Sequence, residues 1–216
     1  MRHRIRAVFF DYDGTLIDSI PEIHRGVCRV LVASGREPVT FSDFLLTFKA
    51  PWMEWYRARG VTLSSDEITD VYFGEMQSDD SPYFPGVRTV IEKLRGRSIQ
   101  VGVVSAHYED RVRARVIAKD ALFSELEPVV GLAHRKADAI RKLCETHGLL
   151  PEETLYVGDL ASDVRDGREA GVLTAAFVGP HGLRASFADH EPHYYLESSL
   201  HEIFGFMEPH ESDTNG

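Results

Sequence analysis

The chain has 216 residues, of which 43% are hydrophobic and 27% charged, enough for one sizeable core plus a small accessory domain. A formal net charge of −10 argues against a nucleic-acid partner, which needs lysine and arginine to replace counterions at phosphates; it leaves room for a small phosphorylated substrate, because one lysine, a metal and helix N-termini can build a local positive field. No window approaches the roughly 18 consecutive apolar residues of a membrane helix, the run Ala7 to Phe10 is shorter than a secretory core of about 7–15 residues, and Cys28 and Cys144 show no CxxC spacing; a cytoplasmic protein without membrane partner or disulfide framework is expected.

Ile5 to Phe10 is a short apolar, branched and aromatic run, the pattern of a buried strand. Between Thr15 and Pro82 the pattern is helical. Ile23, Val27, Val30 and Leu31 recur at helical spacing from Pro21 to about Gly35, a second stretch covers Ser42 to Arg59, and a third starts near Ser64 or Ser65 and runs to about Met76. Past Pro82 the rhythm alternates. Helices are expected over Val87 to Leu94, Ser105 to Ile117, Ala137 to His147 and Val164 to Ala170. Strands are expected at Val101 to Val104, Val129 to Val130, Thr154 to Val157 and Val172 to Val178. Gly148 and Gly171 stand where left-handed helix caps belong. Such alternation implies an α/β protein with a parallel sheet covered on both faces. The core is expected over residues 1–16 and 83–210, a helical insertion over 17–82, and a frayed polar tail over 207–216.

Four polar signals follow expected strands or open expected helices: Asp11 with Asp13, Ser105, Lys136, and Asp159 with Asp163. Asp11 and Asp13 sit two positions apart, on one side of an extended segment. Two close carboxylates need a cation or a shared proton. Gly14 permits the turn that follows. Ser105 at a strand end is either a plain helix N-cap or part of an anion cradle. Lys136 at a helix start opposes the macrodipole, a costly placement unless an anion is near. Asp159 can complete a hard oxygen site with Asp11, which suits Mg2+, and Asp163 can brace that site or hold a metal-bound water.

The motifs FFDYDGTLIDS, VVSAH, HRKADAI and YVGDLASDVRDGREAG, in this order, resemble the haloacid-dehalogenase-like hydrolase superfamily from Val8 to Phe177, and most of all its phosphoglycolate-phosphatase-like branch. The resemblance implies a Rossmann-like doubly wound parallel sheet with a small inserted all-α cap, into which YFPGVRTVIEKL would return the chain. It implies a Mg2+-dependent phosphatase acting on a small phosphorylated metabolite. Asp11 would be the nucleophile and Asp13 the general acid and base, its carbonyl also binding metal. Thr15 would orient Asp13 or support the loop. Ser105 and the amide of Ala106 would bind phosphate oxygens and Lys136 would neutralise them, while Asp159 and Asp163 would complete the metal site. Lys49, in the cap loop interrupted by Pro51, and His107, beside the phosphate cradle, are candidates for substrate contact, as is Thr15. Trp52, Trp55 and Tyr56 line an apolar pocket or form the cap core. A phosphotransferase or mutase, or a catalytically silent phosphate-binding module, are the rival readings; a monomer is the default, with a dimer left open.

Overall fold

The computed structural model describes residues 2–48, 51–74, 81–106, 129–131 and 135–209. The chain divides into two compact units, Met1–Ile17 with Tyr83–Gly216, and Asp18–Pro82. The division falls one residue beyond the expected boundary. Ile17 belongs with the sheet-bearing unit because it pairs with Asp13 and Tyr83 and is fully buried in that unit's core.

Among the described residues the first unit holds a six-stranded sheet: β1 (Ala7–Phe10), β2 (Gln100–Val104), β3 (Val129–Val130), β4 (Thr154–Gly158), β5 (Leu173–Phe177) and β6 (Tyr194–Leu196). Every pairing is parallel and the order is β3-β2-β1-β4-β5-β6. Every residue of β1, β4 and β5 is buried, which is why these segments read as continuous apolar runs rather than alternating ones. The alternation is present, but between two cores. Val8 and Phe10 of β1, with Leu155 and Val157 of β4, pack with Val90, Ile91 and Leu94. Ala7 and Phe9, with Tyr156, pack with Ala137, Ile140 and Leu143. Successive side chains of a strand point to opposite faces, so each strand serves both layers.

Within the second unit lie α1 (Ile20–Ala33), α2 (Phe41–Thr47), α3 (Trp52–Ala58) and α4 (Ser65–Phe73). The stretch expected as one helix over Ser42 to Arg59 is two. Pro51, which has no N–H and disfavours helical geometry in the residue before it, sits as the N-cap of α3 with extended backbone. Ser64 and Glu67 form a reciprocal capping box at α4. Trp55 and Tyr56 enter this unit's core with Val27, Val30, Leu31 and Phe44, whereas Trp52 is exposed.

Back in the first unit, α5 (Val87–Gly96), α6 (Lys136–His147) and α7 (Ala161–Ala170) flank the sheet. The helix expected from Ser105 to Ile117 lies outside the described residues beyond Ala106. Sequence patterning did not signal β6, which has only three residues. The expected frayed tail is corrected at its start. Met207 is buried and paired with His3, whose backbone bonds to Phe206 and Glu208; residues 210–216 lie outside the description. No described helix is long and apolar enough to cross a membrane.

Gly148 ends α6 at φ 62°, with its amide on Glu145 and open space where a Cβ would stand. Gly148→Ala therefore meets backbone strain alone. It is expected to lower stability by about 1 kcal/mol in urea denaturation, without altering the cores.

Candidate active site

Asp11 is the first residue past β1, and its amide bonds to the Val157 carbonyl of β4. The chain then turns sharply. The Tyr12 carbonyl accepts from the amides of Leu16 at 2.9 Å and Ile17 at 3.1 Å, and Gly14 adopts φ 73°. A Cβ on Gly14 would stand 2.3 Å from Asp159 Oδ2, so glycine is what lets this loop lie against the end of β4. The Thr15 hydroxyl donates to Asp159 Oδ1 at 3.1 Å. Thr15 was expected to orient Asp13 or support the loop; its hydroxyl bonds to Asp159.

Lys136 opens α6, and its buried ammonium lies 2.9 Å from Asp11 Oδ2 and 2.7 Å from Asp163 Oδ1. Asp163, in the first turn of α7, accepts the Leu160 amide on Oδ2 at 3.0 Å. A Cβ on Gly158 would come within 2.4 Å of the Asp163 Cβ, so only glycine allows α7 to start this close to β4. Asp11, Asp159 and Asp163 thus converge, with oxygens within 4.8 Å of one another.

The electrostatics follow from crowding acids in a dry place. Burial, reinforced by Asp163 and Asp13 and opposed by Lys136, pushes the Asp11 carboxyl up to about 7. Burial together with Asp163 and Asp11 raises Asp159 well above the usual carboxylate range, against the pull of Lys136 and the Thr15 hydroxyl. Burial would lower Lys136, but Asp11 and Asp163 overcome it and hold the ammonium well above its ordinary value. Three carboxyl groups face one ammonium, so full ionisation of all three would leave negative charge in excess. All the donors are hard oxygens, the set that a small divalent cation such as Mg2+ takes. The residues present therefore fit a metal.

Ser105 follows β2, is buried, and bonds through its amide to Val130 of β3 at 2.9 Å. Ala106 is exposed. Asp13 is half-buried, and its carboxylate is not one of the three convergent groups. Lys49 and His107 lie outside the described residues. Arg135 is exposed and pairs with Glu169 at 2.7 Å, part of a surface network with Arg141 and Asp138 that joins α6 to α7. His24 bonds to Val39 and Arg25 to Glu22, both within the helical unit.

One participant escaped the sequence reading. Tyr156, on β4, directs its hydroxyl to Asp163 Oδ1 at 3.3 Å and to the Val104 carbonyl at 3.2 Å. Burial holds this phenol well above its ordinary value, so it stays protonated. In sequence it is one more aromatic in an apolar strand; its only signal is an odd position between Leu155 and Val157, which puts it on the face of Lys136.

Fold and site together define a doubly wound α/β protein with an acidic, cation-seeking centre at the carboxyl ends of its middle strands, where such sheets bind ligands. The chain belongs to the haloacid dehalogenase-like hydrolase family, whose model matches residues 8–177. It is 25% identical over 205 residues to a phosphoglycolate phosphatase of Synechococcus elongatus, covering 90% of this chain and 93% of that one. It is 24% identical to a Clostridium perfringens protein named "Putative pyrophosphatase PpaX", covering 94% and 98%. A haloacid dehalogenase-like hydrolase from Streptococcus pneumoniae superposes with a TM-score of 0.76 at 25% identity, covering 94% of this chain and 99% of that structure.

The raised carboxyls give a linked expectation for the metal-free protein. Between 3.8 and about 7 the folded chain holds a proton on Asp11 that the unfolded chain has released. This group's contribution to stability therefore falls as pH rises through that window. A cation that favours the ionised carboxylates opposes the fall. Mg2+ at about a hundred times its dissociation constant is expected to raise the thermal midpoint by roughly 5–10 °C near neutral pH and by less at about pH 5. Differential scanning fluorimetry at both pH values, on wild type and Asp159→Asn, checks this; the variant should lose most of the increment.

Proposed function

We propose that this chain is a Mg2+-dependent phosphatase that hydrolyses a small-molecule phosphomonoester, phosphoglycolate-like or a sugar phosphate, through an aspartyl phosphate on Asp11. The observation that supports it most is the Lys136 ammonium lying 2.9 Å from Asp11 within a cluster of carboxylates at adjacent strand ends. An ordinary structural ion pair would not need Asp159 crowded beside it. Family membership and the phosphatase names of relatives point the same way. The helical unit Asp18–Pro82 is read as the family's cap domain, the part that would select the substrate.

In this reading the Asp11 carboxylate attacks phosphorus while the leaving alkoxide takes a proton from Asp13, forming the acyl phosphate and free alcohol. Asp13, now ionised, removes a proton from water, which attacks phosphorus, releases inorganic phosphate and restores Asp11. Ser105 and the Ala106 amide hold the phosphoryl oxygens, and Lys136 favours the ionised form of Asp11 and offsets the phosphate's charge. Asp11, Asp159, Asp163 and the Asp13 carbonyl would hold Mg2+. When bound, the ion supplies positive charge against the oxygens of the transferring group, most of what phosphoryl transfer asks of a protein.

Phosphate release from p-nitrophenyl phosphate, with and without Mg2+, is the test. Turnover should require the metal, vanish in Asp11→Asn, and fall about 10²–10⁴-fold in Asp13→Asn. A folded, metal-replete protein inactive on this substrate and on a panel of small phosphomonoesters would sink the reading. Phosphate passed to an added acceptor faster than to water would replace hydrolysis with group transfer.

A further inference from the structure

The Tyr156 hydroxyl joins three elements that bear the site. Val104 ends β2 immediately before Ser105, Asp163 lies in the first turn of α7, and Lys136, which shares Asp163 Oδ1 with Tyr156, opens α6. The hydroxyl has one hydrogen and faces two acceptors at 3.2 and 3.3 Å, both longer than a single strong O–H···O bond. That is the geometry of a hydrogen shared between them. The ring is fixed independently of the hydroxyl. It is buried among Ala137, Ile140 and Val104.

We infer that Tyr156 is a positioning residue: its hydroxyl, held between Val104 and Asp163, fixes the Asp163 carboxylate and through it the Lys136 ammonium on Asp11. Asp163 has two oxygens to serve three donors. The Leu160 amide fixes Oδ2, while Lys136 and Tyr156 meet on Oδ1. Without the phenol, Oδ1 is held by the flexible lysine alone, and the carboxylate can tilt about the oxygen that the Leu160 amide holds. Partners one shell out from a metal or catalytic carboxylate act in this way, by removing alternative orientations rather than by touching substrate. The competing account is that a buried tyrosine merely needs an acceptor and that Val104 provides it. The two accounts differ in what happens at Asp163.

This inference rests on the proposed roles of Asp11, Lys136 and Asp163, and the experiment separates its fate from theirs. Tyr156→Phe keeps the ring and removes only the hydroxyl. Two quantities are read on full-length protein: steady-state turnover of p-nitrophenyl phosphate, and the Mg2+ concentration giving half of the thermal stabilisation. Tyr195→Phe, on β6, is the control and should leave both unchanged. The expected result is a folded Tyr156→Phe protein whose kcat falls about tenfold or more, whose KM stays within about twofold, and whose Mg2+ midpoint rises severalfold. Both quantities within about twofold of wild type would overturn the inference, since packing alone survives in phenylalanine. Loss of folding, or a rise in KM alone, would overturn it too, the first by making the hydroxyl a core requirement and the second by placing its effect on substrate affinity. If wild type turns over no phosphomonoester, the proposed hydrolysis fails, and the Mg2+ midpoint by itself decides the role of Tyr156.

Discussion

Three carboxyl groups, two of them buried and one half-buried, crowd a buried ammonium at the end of the sheet, and the rest of the structure serves that burden. Removing such groups from water costs several kcal/mol per ion, and removing one partner of a buried pair costs about 3–5 kcal/mol because the other charge is stranded. Lys136 cannot satisfy Asp11, Asp163 and Asp159 at once. Burial first, and then the neighbouring acids Asp163 and Asp13, push Asp11 up to about 7 against the pull of Lys136, so a proton or a cation relieves the site. Much of the stored electrostatic cost is therefore convertible into affinity for a divalent ion.

The sheet makes that arrangement attainable. The β1 strand lies between β2 and β4, so the residues just past three adjacent strands stand side by side although they are far apart in sequence. Asp11 follows β1, Ser105 follows β2, and Asp159 follows β4. The amide of Asp11 continues the ladder to Val157, which sets the height of the nucleophile candidate against the end of β4. Two glycines then bring backbone where side chains could not pass. Gly14 admits the loop to Asp159, and Gly158 admits the first turn of α7, and so Asp163, to the strand. Both act by close approach, and the acids converge because nothing intervenes.

Helix ends contribute a second level of order. Lys136 is at the first position of α6, where a cation opposes the peptide dipoles. Two anions at 2.7 and 2.9 Å outweigh that small penalty. Asp163 at the start of α7 serves both roles at once, receiving the Leu160 amide on one oxygen and the ammonium on the other. The exposed Arg135, Glu169, Arg141 and Asp138 network ties the same two helices together outside the core; exposed pairs of this kind add about 0–1 kcal/mol each.

What the amino-acid order determined alone is local. The strands expected over Ile5 to Phe10 and Thr154 to Val157 were legible because a strand buried on both faces is almost wholly apolar, and the ends of α6 and α7 were legible because only glycine readily takes the left-handed cap. Asp11, Ser105 and Asp159 stood out as candidates because each is a polar residue directly after a buried strand, and Lys136 because it is a cation at a helix start. Tertiary structure decided the rest. The three-residue β6 exists only because the edge of β5 offers a ladder, too little local pattern to announce itself. Met207 is ordered because His3, some two hundred residues earlier, pairs with it, and no window of sequence contains that contact. The partnership of Thr15 with Asp159, and of Tyr156 with both Val104 and Asp163, depends in the same way on which strands are neighbours. Periodicity states which face a residue takes; the sheet order, a long-range property, states what it meets there.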